Sequence, residues 1–172
     1  MFASLGIQNR LRLKGAVAIA CLLPFASISL ASTTTSNFAV QITLTASCSI
    51  NSASTLNFGS QGVLTANVDQ TSTLAVQCTN TTPYNNIGLD AGTGSGATVA
   101  TRKMTSGGNT VNYTLYSDSG RTTVWGNTVS TDTVAATGNG AAQSYTVYGR
   151  VAAQTTPAPG SYSDTVTVTV TY

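Results

Sequence analysis

The sequence predicts an all-β protein folded as a β-sandwich, and three observations support this prediction. Short segments in which apolar and polar residues alternate recur along the chain, separated by turn-forming residues. Threonine, which favours strands and keeps their outer faces polar without charge, accounts for 31 of the 141 residues that follow Ala31. Periodicity typical of a long helix is absent from these 141 residues.

The first 31 residues have the pattern of a secretory signal peptide. Arg10, Arg12 and Lys14 form a basic start, and an apolar run from Gly15 to Leu30 follows. Small residues precede a cleavage position after Ala31. An N-terminal membrane anchor is the alternative, and it is disfavoured because one proline and two serines interrupt the run. We therefore expect an exported protein with one domain over residues 32–172.

The charge of the expected domain excludes several classes of function. Three of the seven basic residues lie in the signal peptide, so four basic residues face five aspartates and the net charge is −1. No basic patch remains for nucleic acid or an anionic membrane. The chain has no histidine and no glutamate, so the sequence offers no catalytic constellation. We expect no enzymatic activity, no cofactor, no metal and no small-molecule substrate.

Two cysteines follow the signal peptide, Cys48 and Cys78. In an exported protein such a pair predicts one disulfide. Their separation of 30 residues corresponds to about 3.6 kcal/mol of denatured-state entropy. Cys48 continues the even-numbered face of residues 38–44, and Cys78 continues that of Leu74 and Val76, so both should point inward. A metal site would need more ligands than these two.

Alternation and turn residues predict the order of the strands. The expected strands cover Phe38 to about Ile50, Leu56–Gly59, Leu74–Cys78, Ile87–Leu89, Val111–Tyr116, a return strand from Thr123, Gln143–Val151 and Thr165–Tyr172. Asp118 and Arg121 are expected to form a turn with a solvated ion pair. The aromatic residues near these strands are expected to pack in the core or on sheet faces rather than to bind a sugar: Tyr113, Tyr116, Trp125, Tyr145, Tyr148 and Tyr162.

We expect the last strand, residues 165–172, to need a partner from elsewhere than the segment after it. Residues 165–172 alternate strictly and place four apolar side chains on one face: Val166, Val168, Val170 and Tyr172. A second alternating segment near the start of the domain presents Phe38, Val40, Ile42 and Leu44. We expect copies of the chain to complete one another by strand addition. The alternative is that residues 38–44 form the first strand of their own sheet.

Several motifs together resemble the spore coat protein U family, over nearly the whole domain. They are Leu56-Asn57-Phe58-Gly59, then Tyr113-x-Leu115-Tyr116-x-Asp118-x-x-Arg121-x-x-x-Trp125-Gly126, then Val147-Tyr148-Gly149-Arg150-Val151, and finally Pro159-Gly160-x-Tyr162-x-Asp164-x-Val166-x-Val168. Each motif alone is weak, and their conjunction is specific.

The resemblance implies an archaic chaperone–usher pilin subunit, a structural component of a bacterial surface fibre in adhesion or biofilm formation. It implies an immunoglobulin-like fold that lacks its last strand. A periplasmic chaperone lends that strand, and an outer-membrane usher and further copies of the subunit complete the assembly. Carried onto this sequence, residues of about 32–45 form the donor segment, with Phe38, Val40, Ile42 and Leu44 as anchors. Val166, Val168, Val170 and Tyr172 form the wall of the acceptor groove.

The boundary between the donor segment and the subunit's own first strand is not marked in the sequence. The alternative function is a monomeric secreted β-sandwich that binds carbohydrate or belongs to a spore or cell coat.

Overall fold

The computed structural model of the protein describes residues 30–172, so all but the last two residues of the predicted signal peptide lie outside them. The chain divides into two units, Met1–Gln41 and Ile42–Tyr172, and every strand of the described residues lies in the second. Residues 30–172 contain no helix long and apolar enough to cross a membrane.

Eight strands build the second unit. They are β1 (Cys48–Ala53), β2 (Val68–Cys78), β3 (Pro83–Leu89), β4 (Arg102–Ser106), β5 (Asn109–Tyr116), β6 (Val134–Thr137), β7 (Ala142–Val151) and β8 (Val168–Thr171). One sheet has the order β1-β2-β7-β5-β4 and the other has the order β6-β3-β8. All of their pairings are antiparallel. The predicted all-β class is confirmed.

The core lies between the inner faces of the two sheets. Alternation along β2, β5 and β7 turns one apolar set inward, against β3 and the loop residue Trp125. The buried residues from these elements are Leu74, Val76, Cys78, Tyr84, Ile87, Leu89, Val111, Tyr113, Leu115, Trp125, Val147 and Val151. The hydroxyl groups of Tyr84 on β3 and Tyr145 on β7 hydrogen-bond to each other, so the polar ends of both rings are satisfied where the sheets meet.

Arg102 on β4 joins the two sheets from inside the core. Its side chain is fully buried and donates to the carbonyl oxygens of Leu89 and Trp125 at 2.8 and 2.7 Å. It also donates to the carbonyls of Asp90 and Val99 at 2.7 and 2.8 Å. Burial lowers the pKa of Arg102. Because a fixed guanidinium satisfies four carbonyl groups at once, this residue sets the spacing of β3, β4 and the loop at Trp125.

The predicted first strand differs most from the structure. Residues 38–47 form no strand, and β1 runs instead from Cys48 to Ala53. Leu56–Gly59 also forms no strand, because the Asn57 side chain accepts the Gly59 N–H and turns the chain. Two strands were not predicted: β4 carries two cations, and β6 is short and alanine-rich, so neither has a clear alternating pattern.

The disulfide lies where the sequence predicted it. Cys48 and Cys78 are direct partners in the β1–β2 ladder, and their Cα atoms are 4.1 Å apart. Cys78 is 1% exposed, which agrees with the inward position expected for it. The bond attaches the start of an edge strand to a strand that is paired on both sides.

The predicted Asp118–Arg121 ion pair is wrong. The Asp118 carboxylate accepts the backbone N–H groups of Thr122 and Thr123, which closes the turn. Arg121 lies 3.4 Å from Asp69 on the outer face of the large sheet, and Arg150 makes two hydrogen bonds to the same carboxylate. The hydrogen bond from Arg150 and the nearby charge of Arg121 lower the pKa of Asp69.

Candidate functional site

An open groove of about 1200 Å³ runs along the second unit. One wall is the segment 156–166 with the start of β8, and the other is the segment 53–64. Its floor consists of core side chains from both sheets, namely Leu74, Leu89, Met104, Val111, Tyr113, Leu115, Val147 and Val151. The groove therefore opens directly onto the hydrophobic core.

β8 has a free edge in this region. It pairs with β3 on one side, in a register that places Val168 opposite Leu89 and Val170 opposite Ile87. Among residues 30–172 it has no strand partner on the other side. β1, an edge strand of the large sheet, lies near β8. Backbone groups along such a free edge are available to another strand.

Of the four groove residues predicted on the last strand, the structure places two in the lining of the groove and two outside it. Val166 and Val168 line the open groove. Val170 packs against the core outside the lining, and Tyr172 is 58% exposed and also lies outside it. The alternation is preserved, since Thr167, Thr169 and Thr171 are all exposed.

The wall at residues 53–64 depends on a glycine in β7. Leu56 and Phe58 pack over Gly149, and a Cβ there would lie 2.7 Å from Leu56 and 3.0 Å from Phe58. The Phe58 ring also meets the Tyr113 ring edge-on, with centroids 6.3 Å apart. Only a glycine at position 149 lets this wall approach the sheet so closely.

The carboxylate of Asp164 fixes the opposite wall of the groove, residues 156–166. Asp164 accepts hydrogen bonds from the Tyr113 hydroxyl at 2.7 Å, from the Thr93 N–H at 2.7 Å and from the Thr165 N–H at 2.8 Å. Burial alone would raise the pKa of Asp164, but these hydrogen bonds outweigh it and the pKa is lowered. Burial and the hydrogen bond to Asp164 raise the pKa of Tyr113. A Cβ at Gly92 would lie 2.0 Å from the carboxylate, so this contact also requires a glycine.

The alternating segment 38–44 is exposed on both faces. Phe38 and Val40, in the first unit, are 86% and 84% exposed. Ile42 and Leu44, in the second, are 84% and 82% exposed. Residues 38–44 pair with no strand of the described part of the chain. Four large apolar side chains at alternate positions of an unpaired segment have the pattern of a strand that binds elsewhere.

The groove is suited to binding an extended apolar segment. Its floor is apolar, and Asp164, the one acid of its walls, is already hydrogen-bonded to Tyr113, Thr93 and Thr165. Within residues 30–172 no three His, Cys, Asp or Glu side chains are grouped so that they could hold a metal ion.

Several residues that shape the groove were not predicted as site residues. Gly149 and Asp164 lie in the family motifs, so a signal for them was present, but their partners Leu56 and Thr93 are distant in sequence. Outside the groove, the burial of Arg102 was not predicted either, because a lone arginine in a polar segment is expected to be exposed.

The chain matches the Spore Coat Protein U domain family over residues 34–169. It belongs to this family. The matched region contains both the exposed segment 38–44 and the groove residues Val166 and Val168. A comparison with curated proteins finds no match.

Among solved structures, the chain is similar to one in the crystal structure of the CsuC–CsuE chaperone–tip adhesion subunit pre-assembly complex, from the archaic chaperone–usher Csu pili of Acinetobacter baumannii. The two share 27% sequence identity with a TM-score of 0.55. The aligned region covers 76% of this chain and 40% of the other, so the present chain corresponds to less than half of that protein.

Proposed function

We propose that the protein is a structural subunit of a bacterial surface fibre, an archaic chaperone–usher pilus. In this proposal residues 38–44 of one copy occupy the open groove of the next copy and complete its sandwich. The observation that carries the proposal is complementarity within one chain: a groove that opens onto the core beside a free strand edge, and an unpaired segment with four exposed apolar side chains.

The energetics favour such an exchange. Phe38, Val40, Ile42 and Leu44 would each contribute about 1.5–3 kcal/mol on burial, or roughly 6–12 kcal/mol together before entropy costs. The inserted backbone would also pair with the free edge of β8. No nucleotide is required, since replacing one bound strand by a better one releases free energy.

Two partners follow from an unfilled groove. A groove that exposes core side chains aggregates unless it is covered, so we propose a periplasmic chaperone that lends a strand before assembly. The similarity to a protein solved in a chaperone pre-assembly complex supports this partner. An outer-membrane usher would then pass subunits to the surface, where the fibre supports adhesion or biofilm formation. Residues 1–31 would direct export, residues 32–45 would act as donor, and the remaining residues would form the domain.

The alternative, a monomer that closes its own groove, requires residues 38–44 to fold back along β1. Ser47 is already fixed, because its N–H and carbonyl both bond Thr79, at 3.2 and 2.9 Å. Only Thr45 and Ala46 remain for the turn. Two-residue hairpin turns need residues that tolerate positive φ, such as Gly, Asn or Asp, and a β-branched threonine is poorly suited. This linker favours insertion into another copy.

The proposal is tested by producing the full chain with an archaic chaperone and usher and running unheated and boiled SDS gels. Donor-strand insertion predicts a ladder of multiples of the subunit that collapses to one band on boiling. A soluble species that stays monomeric without heating would contradict the proposed function.

A further inference from the structure

Polar and aromatic side chains form a patch on the outer face of the large sheet. We call it the outer patch and define it as Asp69, Thr71, Tyr116, Arg121, Tyr148 and Arg150. Tyr148 on β7 is the direct partner of Tyr116 on β5 and of Thr71 on β2, so these three side chains share one face. Val147, the neighbour of Tyr148, is buried, so this face points to solvent. None of the six residues lines the groove.

The outer patch holds more positive than negative charge. Asp69 accepts two hydrogen bonds from Arg150, at 2.7 and 2.8 Å, and its Oδ1 lies 3.4 Å from Nε of Arg121. One carboxylate therefore faces two guanidinium groups. Asp118, the acid closest to Arg121 in sequence, directs its carboxylate to backbone N–H groups of its own turn. Residues 32–172 have a net charge of −1, so the positive excess is local.

Both guanidinium groups keep N–H donors that the domain does not use. Arg150 bonds Asp69 through Nε and Nη2, and Arg121 bonds backbone carbonyls through Nε and Nη1. Within residues 30–172, no acceptor bonds Nη1 of Arg150 or Nη2 of Arg121, and the hydroxyl groups of Tyr116 and Tyr148 make no hydrogen bond. A planar guanidinium edge matches the two oxygens of a carboxylate. The outer patch is therefore suited to a carboxylate from outside the domain.

The side chain of Arg121 is held in place over the sheet. Its backbone has φ of 56°, a value that is uncommon outside glycine. From this position the guanidinium lies 5.8 Å from the centre of the Tyr148 ring, and Nε donates to the Gly149 carbonyl at 3.2 Å. The side chain is 14% exposed. Because this cation is already ordered, it loses little further entropy when a ligand binds.

The surroundings of the outer patch indicate the class of ligand. The exposed residues that continue this face along β2 and β7 include Thr73, Ser144 and Thr146. A stable protein contact buries about 800 Å² on each partner around an apolar core, and these hydroxyl-bearing residues provide no such core. Nucleic acid requires several cations along its phosphates, whereas the outer patch has two. A polysaccharide matches a flat, hydroxyl-rich face, and its uronic acid residues carry carboxylates.

We propose that the outer patch binds a uronic acid residue of an acidic polysaccharide. The carboxylate accepts hydrogen bonds from the unused Nη groups of Arg121 and Arg150. The sugar ring lies against Tyr116, because the guanidinium of Arg121 already lies over Tyr148. The proposal does not depend on strand exchange. In a fibre the outer patch would recur in every copy, so that one polysaccharide chain would bind several subunits with increased avidity.

Binding of the purified full chain to immobilised polygalacturonate tests the proposal. Two control ligands separate the sugar from its charge. The methyl ester of polygalacturonate has the same sugar without the charge, and polyglutamate has carboxylates without a sugar. The chain, monomeric or assembled, should bind both controls at least several-fold more weakly than polygalacturonate. No binding to polygalacturonate, or equal binding to either control, would overturn the proposal.

Two variants locate the binding site. Arg150→Gln removes one guanidinium but can still donate to Asp69, and it should weaken binding roughly ten-fold. Thr71→Asp places a negative charge beside Tyr148 and should weaken binding several-fold. The matched control Thr169→Asp makes the same change in net charge on the outward face of β8, in the other sheet, and should bind like the wild type.

Thermal unfolding checks that each variant is folded. Equal losses of binding from Thr71→Asp and Thr169→Asp, or full binding by a folded Arg150→Gln variant, would overturn the proposal and leave the proposed function intact. Absence of ladders on SDS gels would contradict the proposed function instead, and it would not affect the outer patch.

Discussion

At the scale of single residues, the proposed insertion of segment 38–44 into an apolar groove depends on which side chains it carries. Replacing Ile42 by aspartate would place a carboxylate in the groove without a partner, at a cost of several kcal/mol. We expect Ile42→Asp to abolish the SDS-resistant ladder while the chaperone-bound subunit accumulates normally, because Ile42 is 84% exposed in the free chain. Ladder formation and chaperone co-purification measure the two effects.

The matched control for Ile42→Asp is Thr43→Asp, one residue along and on the opposite face. It adds the same charge but should leave most of the ladder in place. Equal losses from the two variants would show that the face of the segment does not matter, and they would contradict the anchor role of Ile42.

Asp164 makes the groove wall sensitive to acid. Its pKa is lowered in the folded chain, so it stabilises the fold above the pKa of an unfolded aspartate, about 4, and this contribution is lost as the pH falls through the folded value. The pKa of Asp90 is also lowered. Its burial would raise this pKa, but hydrogen bonds from Thr167 and Gly92 outweigh the burial. We expect the chaperone-free subunit to lose thermal stability below about pH 4.

Thermal unfolding of the wild type and of Asp164→Asn between pH 2.5 and 7 checks this prediction. The variant should be less stable at pH 7, because its amide cannot accept all of the hydrogen bonds of the carboxylate, and it should lose less stability on acidification. Parallel pH profiles for the two proteins would rule out Asp164 as a source of the acid sensitivity.

At the scale of elements, the structure separates the roles of the last residues of β8. Val170 packs on the core and pairs with Ile87, whereas Tyr172 is largely exposed. Deleting Val170–Tyr172 should destabilise the subunit by about 2 kcal/mol or more, from the valine side chain alone. Deleting only Tyr172 should cost far less.

Denaturant titration of the two truncated chains gives these stabilities, and capture by a tagged chaperone reports the state of the groove. Thr169→Ser, on the outward face, serves as the control. A tyrosine deletion that costs as much as the longer one would show that Tyr172 contributes to the fold or to the groove despite its exposure.

The elements with strong alternation were predictable, and those that depend on distant contacts were not. β2, β5 and β7 follow from inward-facing apolar residues at every second position. The non-strand state of residues 38–47 could not be predicted, because the same alternation suits a strand within the domain and a strand given to another copy. β4 was not predicted because its Arg102 is buried. The four carbonyl groups that accept hydrogen bonds from this side chain belong to residues outside β4.

The groove was likewise predictable only in part. Val166 and Val168 were predictable from the pattern of the last strand, and the family motifs contained Gly149 and Asp164. The packing of Leu56 over Gly149 and the hydrogen bond from Thr93 to Asp164 could not be predicted. Each joins segments that meet only in the folded chain.

At the scale of the whole molecule, the groove leaves core side chains open to solvent that an added strand would cover. The disulfide and Arg102 hold together the parts that are already paired. The free edge of β8 and the exposed segment 38–44 remain unpaired among residues 30–172. The central claim is that the segment of one copy lies in the groove of another.

Engineered disulfides test this claim most directly. Cysteines placed one at a time at Phe38, Val40, Ile42 and Leu44 in one chain are combined with Val168→Cys in a second, tagged chain, and both are assembled together. The account predicts a disulfide between tagged and untagged chains from at least one of these positions and none from Thr43→Cys. No disulfide between tagged and untagged chains from any of the four positions, or an equal yield from Thr43→Cys, would contradict it.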